Sequence, residues 1–151
     1  MLRKRFALSA AAAVLLAVVS LAAQSGSRSA RVISPPGAKP SPNFSHGILA
    51  GKTLYLSGQQ GTDDSGKLVD GIGPQTQAAL EDLGKILKAA GFSMNDVVSV
   101  TVYLADIHDF QAMNKVYDSI LPDPKPTRTT IQAAALANDG RIEISMIAVK
   151  P

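Results

Sequence analysis

The chain of 151 residues contains no cysteine and no tryptophan, and aromatic residues make up only 5% of it. The absence of cysteine excludes disulfides, thiol nucleophiles and thiolate metal sites. With so few aromatic side chains, the core has to be largely aliphatic, and hydrophobic residues are plentiful at 46%. This length and composition predict one globular domain.

Several motifs of catalytic and metal-binding sites are also missing. The two histidines, His46 and His108, lie in no metal-ligand spacing. Asp63, Asp64 and Asp70 lack the ordered ligand spacing and the closing glutamate of an EF-hand loop. The sequence has no G-x-S-x-G nucleophile motif, no phosphate-binding loop and no dinucleotide-binding fingerprint. None of these residues therefore supports a metal site or nucleophilic catalysis.

The N-terminus has the pattern of an export signal. Three of the first five residues are cations, an apolar run of Ala, Leu and Val follows, and Ser20 and Ala22 have the small-residue spacing of a signal-peptidase site. The pattern predicts a signal peptide over residues 1–23, a flexible lead-in over 24–33 and a domain over 34–151. We therefore expect an exported protein, periplasmic or secreted. A retained membrane anchor is the alternative, because the run approaches the length of a membrane span.

The net charge of +3 comes from the leader. Without its three cations the chain has 12 cations and 12 anions. A protein without a basic excess has no general attraction to nucleic acid or to anionic membranes. We therefore expect no nucleic-acid partner, and no membrane association once the leader is removed.

Apolar patterning predicts the elements of the first half of the domain. Short apolar stretches on both sides of Gly51 and Lys52 predict a β-hairpin. Pro74 and Gly91 bound a helix in which leucines recur at helical spacing. A strand rich in β-branched residues is predicted over residues 96–107.

The second half of the domain continues with a helix over residues 109 to about 121, which three prolines end. Two strands are predicted over 128–136 and 141–149, and the turn at 137–140 is compatible with a hairpin between them. The order is ββ-α-β-α-ββ. It predicts a two-layer α+β domain, a mixed sheet with both helices on one face. Because the last strands are apolar at nearly every position, the other face needs a partner, and self-association is expected.

Arg128 and Glu143 are prominent because they lie in strands that should be mostly buried. A buried charge is costly unless it is paired. One interpretation is that the two residues pair with one another or with the backbone. The other is that Arg128 presents its planar guanidinium to a ligand carboxylate, which it can bind with two hydrogen bonds. Glu143 would then position or deprotonate a water molecule.

Ser57 and Gly58 end the second predicted strand. A glycine at such a place lets the backbone approach a ligand closely. A plain strand-to-loop turn is the alternative interpretation.

Five segments of the predicted domain are distinctive when they are taken together. The closing segment over 126–144 is PTRTTIQAAAL followed after five residues by IEI, with a fifteen-residue spacing from Arg128 to Glu143. The other segments are LYLSGQ at 54–59, KAAGFSMNDVV at 88–98, VTVYLADIHDF at 100–110 and IEISMIAVKP at the end. The closing segment resembles the signature of the RidA/YjgF family, the reactive intermediate deaminases that act on enamines and imines, and the other segments are similar to parts of the same family. The likeness covers about residues 33–151.

The resemblance implies a chorismate-mutase-like (YjgF-type) fold and a homotrimer with active sites in clefts between neighbouring subunits. It implies hydrolysis of 2-aminoacrylate-type enamines, through their imine tautomers, to 2-keto acids and ammonia, with no metal or organic cofactor. Arg128 would hold the substrate carboxylate, and Glu143 would activate the water that adds to the imine carbon. The residues implied to contact the substrate are Phe44, Ser57, Gly58, Arg128 and Thr130.

Two positions depart from the family pattern. Phe44 stands where many members have a pocket tyrosine, and Thr130 stands where many have a cysteine. Loss of the tyrosine hydroxyl favours the main alternative function, a non-catalytic binder of small carboxylate metabolites in an exported compartment. The ribonuclease or translation-inhibitor role of some relatives is a third possibility, and the balanced charge of the chain without its leader counts against it.

Overall fold

The computed structural model describes residues 30–151. The predicted export signal, residues 1–23, and the lead-in up to residue 29 lie outside the described residues. The last three lead-in residues, Arg31–Ile33, form a short strand that pairs with the domain. Among the described residues, no helix is both long and apolar enough to cross a bilayer.

Within residues 30–151, one six-stranded sheet and two α-helices form the domain. The strands are β1 (Arg31–Ile33), β2 (Gly47–Ala50), β3 (Thr53–Gln59), β4 (Val97–Leu104), β5 (Thr127–Gln132) and β6 (Ile142–Val149). The helices are α1 (Ile72–Ala89) and α2 (Phe110–Ile120). Pro74 lies in the first turn of α1, where its missing N–H has no helical partner to lose.

The sheet is mixed, with the strand order β1-β2-β3-β6-β4-β5. Neighbouring strands are antiparallel except β4 and β5, which are parallel. The predicted hairpin at Gly51 and Lys52 is confirmed: it joins β2 to β3, and Gly51 has a φ of 62°. Glycine suits this turn because positive φ is costly for other residues.

The predicted hairpin between the last two strands is wrong. Among the described strands β5 pairs only with β4, to which α2 connects it in a β-α-β unit, and β6 lies between β3 and β4. The physical reason is burial. Ile142, Ile144, Met146 and Ala148 of β6 are at most 2% exposed, whereas β5 is polar and has no buried residue. The strand with more apolar side chains occupies the centre of the sheet, and the polar strand takes an edge.

The hydrophobic core lies between the two helices and one face of the sheet. Leu80, Leu83 and Leu87 of α1 are fully buried, as are Met113 and Tyr117 of α2. On the sheet, alternate residues of each strand face the helices, which is the period of two that a half-covered sheet requires. These sheet residues are Leu54, Leu56, Val100, Val102, Leu104, Ile142, Ile144, Met146 and Ala148.

The other face of the sheet, here called the open face, is not covered by any described element. The register places Ile48, Tyr55 and Ile147 side by side across β2, β3 and β6, with Val32 of β1 next to Ile48. Tyr55 is 50% exposed and Val32 is 61% exposed. The open face therefore carries an apolar row, as the sequence predicts, but the row comes from β1, β2, β3 and β6, and the expectation that β5 is apolar is wrong.

Candidate active site

Arg128 lies on the edge strand β5, on the side of the sheet that the helices cover. The parallel register pairs Arg128 with Val100 and Thr130 with Val102, and both valines are buried. Residues paired across neighbouring strands point to the same face. The Arg128 and Thr130 side chains are therefore directed to the helix side, where each is half-buried.

Two aromatic rings of α2 contact the guanidinium. Its Cζ lies 4.6 Å from the centroid of the Tyr117 ring and 5.5 Å from that of Phe110. Both distances are in the range of a cation–π interaction. No carboxylate of residues 30–151 forms an ion pair with Arg128. The guanidinium also borders a cavity of about 220 Å³, lined by Tyr117, Asp118, Lys125, Pro126 and Arg128.

Three polar atoms of α2 and β5 are buried without a hydrogen-bond partner among the described residues. They are Asn114 Oδ1, the Tyr117 hydroxyl and Thr130 Oγ1. Burial raises the pKa of the Tyr117 phenol, and the nearby Arg128 charge opposes that rise. Because buried polar atoms nearly always have a partner, this region can accept hydrogen bonds from a bound polar molecule or donate to one. We call Phe110, Asn114, Tyr117, Arg128 and Thr130 the Arg128 half.

Glu143 lies in β6 on the open face, where its register partner in β4 is Tyr103. Its Oε2 accepts a hydrogen bond of 3.1 Å from Gln60 Nε2. No donor among the described residues hydrogen-bonds to Oε1, and no cation of that part of the chain forms an ion pair with the carboxylate. A carboxylate with one oxygen held and the other free can accept a proton at a defined place.

Gly58 makes room for the Glu143 carboxylate. A Cβ at position 58 would overlap Glu143 Oε1 and would lie 2.7 Å from its Cγ. Gly58 is in the irregular stretch of β3 between Leu56 and Gln59, where the pairing with β6 shifts. The missing side chain therefore allows the β3 backbone to contact the carboxylate directly, and any larger residue would displace Glu143.

Ser57 attaches the loop before β2 to the end of β3. Its Oγ donates to the Ser45 carbonyl oxygen at 2.6 Å, and its N–H donates to the His46 carbonyl oxygen at 3.0 Å. The same loop presents Phe44, whose side chain is 53% exposed and packs edge-on against the His46 ring. We call Phe44, Ser57, Gly58, Gln60 and Glu143 the Glu143 half.

The two halves lie on opposite faces of one sheet. Arg128 shares its face with buried Val100, whereas Glu143 shares its face with Tyr103, and these two residues of β4 point in opposite directions. The interpretation that Arg128 and Glu143 neutralise one another is therefore wrong within a single protomer. The structure brings Phe44, Ser57, Gly58 and Glu143 to one region, and Arg128 and Thr130 to another.

A family model described as Endoribonuclease L-PSP matches residues 36–150 of the chain. The chain belongs to the Endoribonuclease L-PSP family. A crystal structure of RidA from an Antarctic Psychrobacter bacterium is 35% identical to this chain, with a TM-score of 0.76, and the match covers 80% of this chain and 99% of that one. Together with the family match, it confirms the resemblance to RidA/YjgF proteins. The similarity also confirms the predicted two-layer fold.

Two further relatives of this Endoribonuclease L-PSP family member are informative. The 2-iminobutanoate/2-iminopropanoate deaminase of Capra hircus is 46% identical over 109 residues, which are 71% of this chain and 80% of that protein. The crystal structure of Escherichia coli TdcF with bound serine has 31% identity and a TM-score of 0.71, and covers 80% of this chain and 99% of that one.

The sequence did not identify four residues near Arg128 or Glu143 as site residues. Gln60 lies in a loop without periodicity, so no signal identified it. Phe110 and Tyr117 recur at helical spacing on the apolar side of α2, a pattern that by itself indicates core residues rather than site residues. Asn114 carried a usable signal, because it is a polar residue three positions before buried Tyr117 on the same helix face.

Proposed function

We propose that this protein hydrolyses small 2-imino acids, the tautomers of 2-aminoacrylate-type enamines, to 2-keto acids and ammonia. The observation that carries the proposal is the state of Arg128, which has no carboxylate partner among the described residues and borders a cavity. A guanidinium without a partner can bind a substrate carboxylate with two parallel hydrogen bonds. The deaminase name of the Capra hircus relative supports imines rather than RNA as substrates.

The reaction needs one bound anion and one mobile proton. Arg128 holds the substrate carboxylate and so fixes the neighbouring imine carbon. Glu143 Oε1 accepts a proton from a water molecule as the water oxygen bonds to the carbon of the protonated imine, and the C=N π electrons move to nitrogen, which gives a tetrahedral amino alcohol. The same carboxylate returns that proton to the nitrogen and then accepts the hydroxyl proton as the C=O bond forms and the C–N bond breaks. The departing ammonia takes this proton and leaves as ammonium, so the carboxylate is regenerated with the keto acid. Positioning and one acid–base group can supply this chemistry.

Because the two halves lie on opposite faces, we propose that neighbouring copies of the chain complete each site in a homotrimer. The apolar row on the open face supports this assembly, since an exposed apolar patch on a sheet marks an interface. Exposed Ile131 on β5, at 46%, extends apolar surface to the edge that bears Arg128. In the proposed trimer the Arg128 half of one protomer meets the Glu143 half of the next.

The deaminase proposal is tested by following keto-acid release from enzymatically generated 2-aminoacrylate. The chain without residues 1–23 should accelerate release, and Arg128→Ala should abolish the acceleration. Arg31→Ala is the matched control, because it removes the same charge from an exposed strand residue outside both halves. Equal rates for the wild type and Arg128→Ala would show that the catalytic assignment is wrong. Binding of 2-ketobutyrate without turnover would instead identify a non-catalytic carboxylate binder.

The assembly is tested by mixing Arg128→Ala and Glu143→Gln chains, refolding them together and assaying turnover. Random mixing restores about a quarter of the sites if each site takes Arg128 from one chain and Glu143 from its neighbour. Each variant refolded alone should remain inactive. Mixtures no more active than their parents, or a monomeric mass by light scattering, would contradict the shared site.

We further propose that residues 1–23 direct export of the protein. The cationic start, the apolar run and the small residues at 20 and 22 support this proposal. Expression of the full chain, followed by mass determination of the exported product, should give a chain that begins near residue 23. Accumulation of the intact chain inside the cell would contradict export.

A further inference from the structure

We propose that Phe110 and Tyr117 form an aromatic clamp that positions the Arg128 guanidinium for carboxylate binding. The inference rests on the proposed function and extends it, because it assigns a role in the site to two residues of α2. Both rings lie within 5.5 Å of Arg128 Cζ, at 5.5 Å for Phe110 and 4.6 Å for Tyr117. They are the described aromatic rings that contact this cation.

The need for a clamp follows from where Arg128 lies. It extends from an edge strand, it is only half-buried, and it has no ion-pair partner among residues 30–151. An arginine side chain in that position has many accessible rotamers, and binding a ligand would have to restrict them. A side chain already fixed in the unliganded protein loses less freedom when the ligand arrives.

Aromatic rings suit this task better than a carboxylate would. A guanidinium is planar: its N–H groups lie in its plane, and its two faces carry none. Rings attract the cation through their quadrupole without accepting those N–H groups as a carboxylate does. A carboxylate partner, in contrast, would occupy the bidentate edge that the substrate needs. The clamp therefore holds the charge and leaves its hydrogen-bonding capacity for the ligand.

The clamp itself is anchored in the core. Tyr117 is 2% exposed and belongs to the buried cluster, and Phe110 packs against the same cluster from the first turn of α2. Thus the packing of α2 on the sheet fixes both rings. Within this proposal Phe110 and Tyr117 are positioning residues, because they act on the substrate through Arg128.

The test measures the Kd of 2-ketobutyrate by calorimetry. Phe110→Leu and Tyr117→Leu remove one ring each and should weaken binding about tenfold, the size of a partly desolvated cation–π contact. Tyr117→Phe keeps the ring, so its loss of affinity should be clearly smaller than that of Tyr117→Leu. Calorimetry separates positioning from damage to the fold, since unfolded protein lowers the number of binding sites and leaves Kd unchanged.

Phe92→Leu is the matched control. It removes the same ring from another cation–π contact, in which Lys150 Nζ lies 5.1 Å from the Phe92 centroid, and Phe92 belongs to the same core cluster. It should lower thermal stability and leave Kd unchanged. If it weakened binding as much as Phe110→Leu does, the effect would be one of general packing and the clamp would be refuted.

The remaining outcomes separate the clamp from the proposed function. Wild-type affinity in both leucine variants, together with loss of binding in Arg128→Ala, would overturn the clamp and leave carboxylate binding by Arg128 intact. An equal loss in Tyr117→Phe and Tyr117→Leu would assign the effect to the hydroxyl and also overturn the clamp. A wild-type protein that neither binds nor turns over would refute the function itself.

Discussion

The two halves of the candidate site hold their charges by different means. Arg128 is contacted by two aromatic rings, and its edges have no carboxylate partner in the described part of the chain. Gln60 donates a hydrogen bond to one oxygen of Glu143, and the carboxylate packs against the backbone of Gly58. The Glu143 carboxylate therefore has little room to move. The rings hold the Arg128 guanidinium in place and leave its hydrogen-bond donors free, whereas the Glu143 carboxylate is held in place with only Oε1 free.

This difference matches two different tasks. A group that binds a substrate anion needs hydrogen-bond donors that no protein group already uses, and rings leave those donors free. A group that transfers protons needs a fixed position relative to the reacting atom, because acid–base catalysis depends on geometry before pKa. The comparison therefore predicts that changes in the Arg128 half alter mainly ligand affinity, while changes in the Glu143 half alter mainly turnover.

The largest expected effects come from removing the charges themselves. Arg128→Ala should weaken 2-ketobutyrate binding by about 100-fold or more, because truncation of one partner of a charge pair commonly costs 2–5 kcal/mol. Glu143→Gln should keep ligand affinity within about threefold and lower turnover by about 100-fold or more, the size of a general acid–base contribution. Calorimetry and the keto-acid assay on the same preparations measure both. Equal loss of affinity in the two variants would contradict the assignment of ligand binding to Arg128 and of proton transfer to Glu143.

A smaller effect is expected from Gly58→Ala, which tests the Glu143 half without removing a charge. The added methyl overlaps the end of a flexible side chain, so Glu143 moves while the fold is kept. Turnover should fall about tenfold or more with little change in the Kd of 2-ketobutyrate, since misplacement of a catalytic group is costly. Wild-type turnover in Gly58→Ala would show that the position of Glu143 is not critical.

Gly61→Ala is the control for that prediction. Gly61 has a φ of +77°, and a Cβ there would overlap the backbone carbonyl of Gln75. A side-chain movement can relieve neither the positive φ nor the overlap with the Gln75 carbonyl. The variant should therefore lose about 3 kcal/mol of unfolding free energy, measured by urea titration. The same substitution thus distinguishes a glycine that serves the site from one that serves the fold.

The smallest effect is expected for the stability contributed by Asp96, a charged residue that forms an ion pair with Lys150. The Lys150 ammonium, 2.8 Å away, and the Ser93 donors hold the pKa of Asp96 below its usual value. A lowered folded pKa contributes stability that is present above about pH 4, the unfolded carboxyl value, and is lost as the pH falls through the folded value. Asp96→Asn should therefore cost about 1 kcal/mol at pH 7, and the difference from the wild type should shrink toward pH 2.

Thermal unfolding at both pH values measures this difference, and turnover should stay at the wild-type level. A loss of turnover in Asp96→Asn would mean that paired charges outside the two halves also serve the reaction. It would weaken the contrast between Asp96, which has an ion-pair partner, and Arg128 and Glu143, which have none among residues 30–151.

Most of the fold could be predicted from local pattern. The leucine spacing of α1, the β-branched alternation of β4 and the Gly51 turn each depend on neighbours in sequence, and the structure has all three. The pairing of β5 could not be predicted in this way. It depends on competition between β5 and β6 for the sheet centre, and that competition is decided by burial against the helices rather than by the turn between the two strands.

The candidate site shows the same limit. Residue type and family resemblance identified Arg128 and Glu143, but alternation along a strand does not reveal which face each strand presents. That depends on the pairing of β5 with β4 and of β6 with β3 and β4, which are long-range contacts. Gln60 was missed for a related reason, since only the folded chain brings it within 3.1 Å of Glu143.

The position of Arg128 and Glu143 on opposite sides of one sheet also has a kinetic consequence. No rotamer change can carry a side chain through a layer of hydrogen-bonded strands, so a lone protomer cannot assemble the reaction centre however long it samples conformations. In the proposed assembly, the rate per chain then depends on total concentration. Dilution below the dissociation constant of the trimer should abolish turnover. Adding an inactive variant that still carries the missing half of the site should restore turnover.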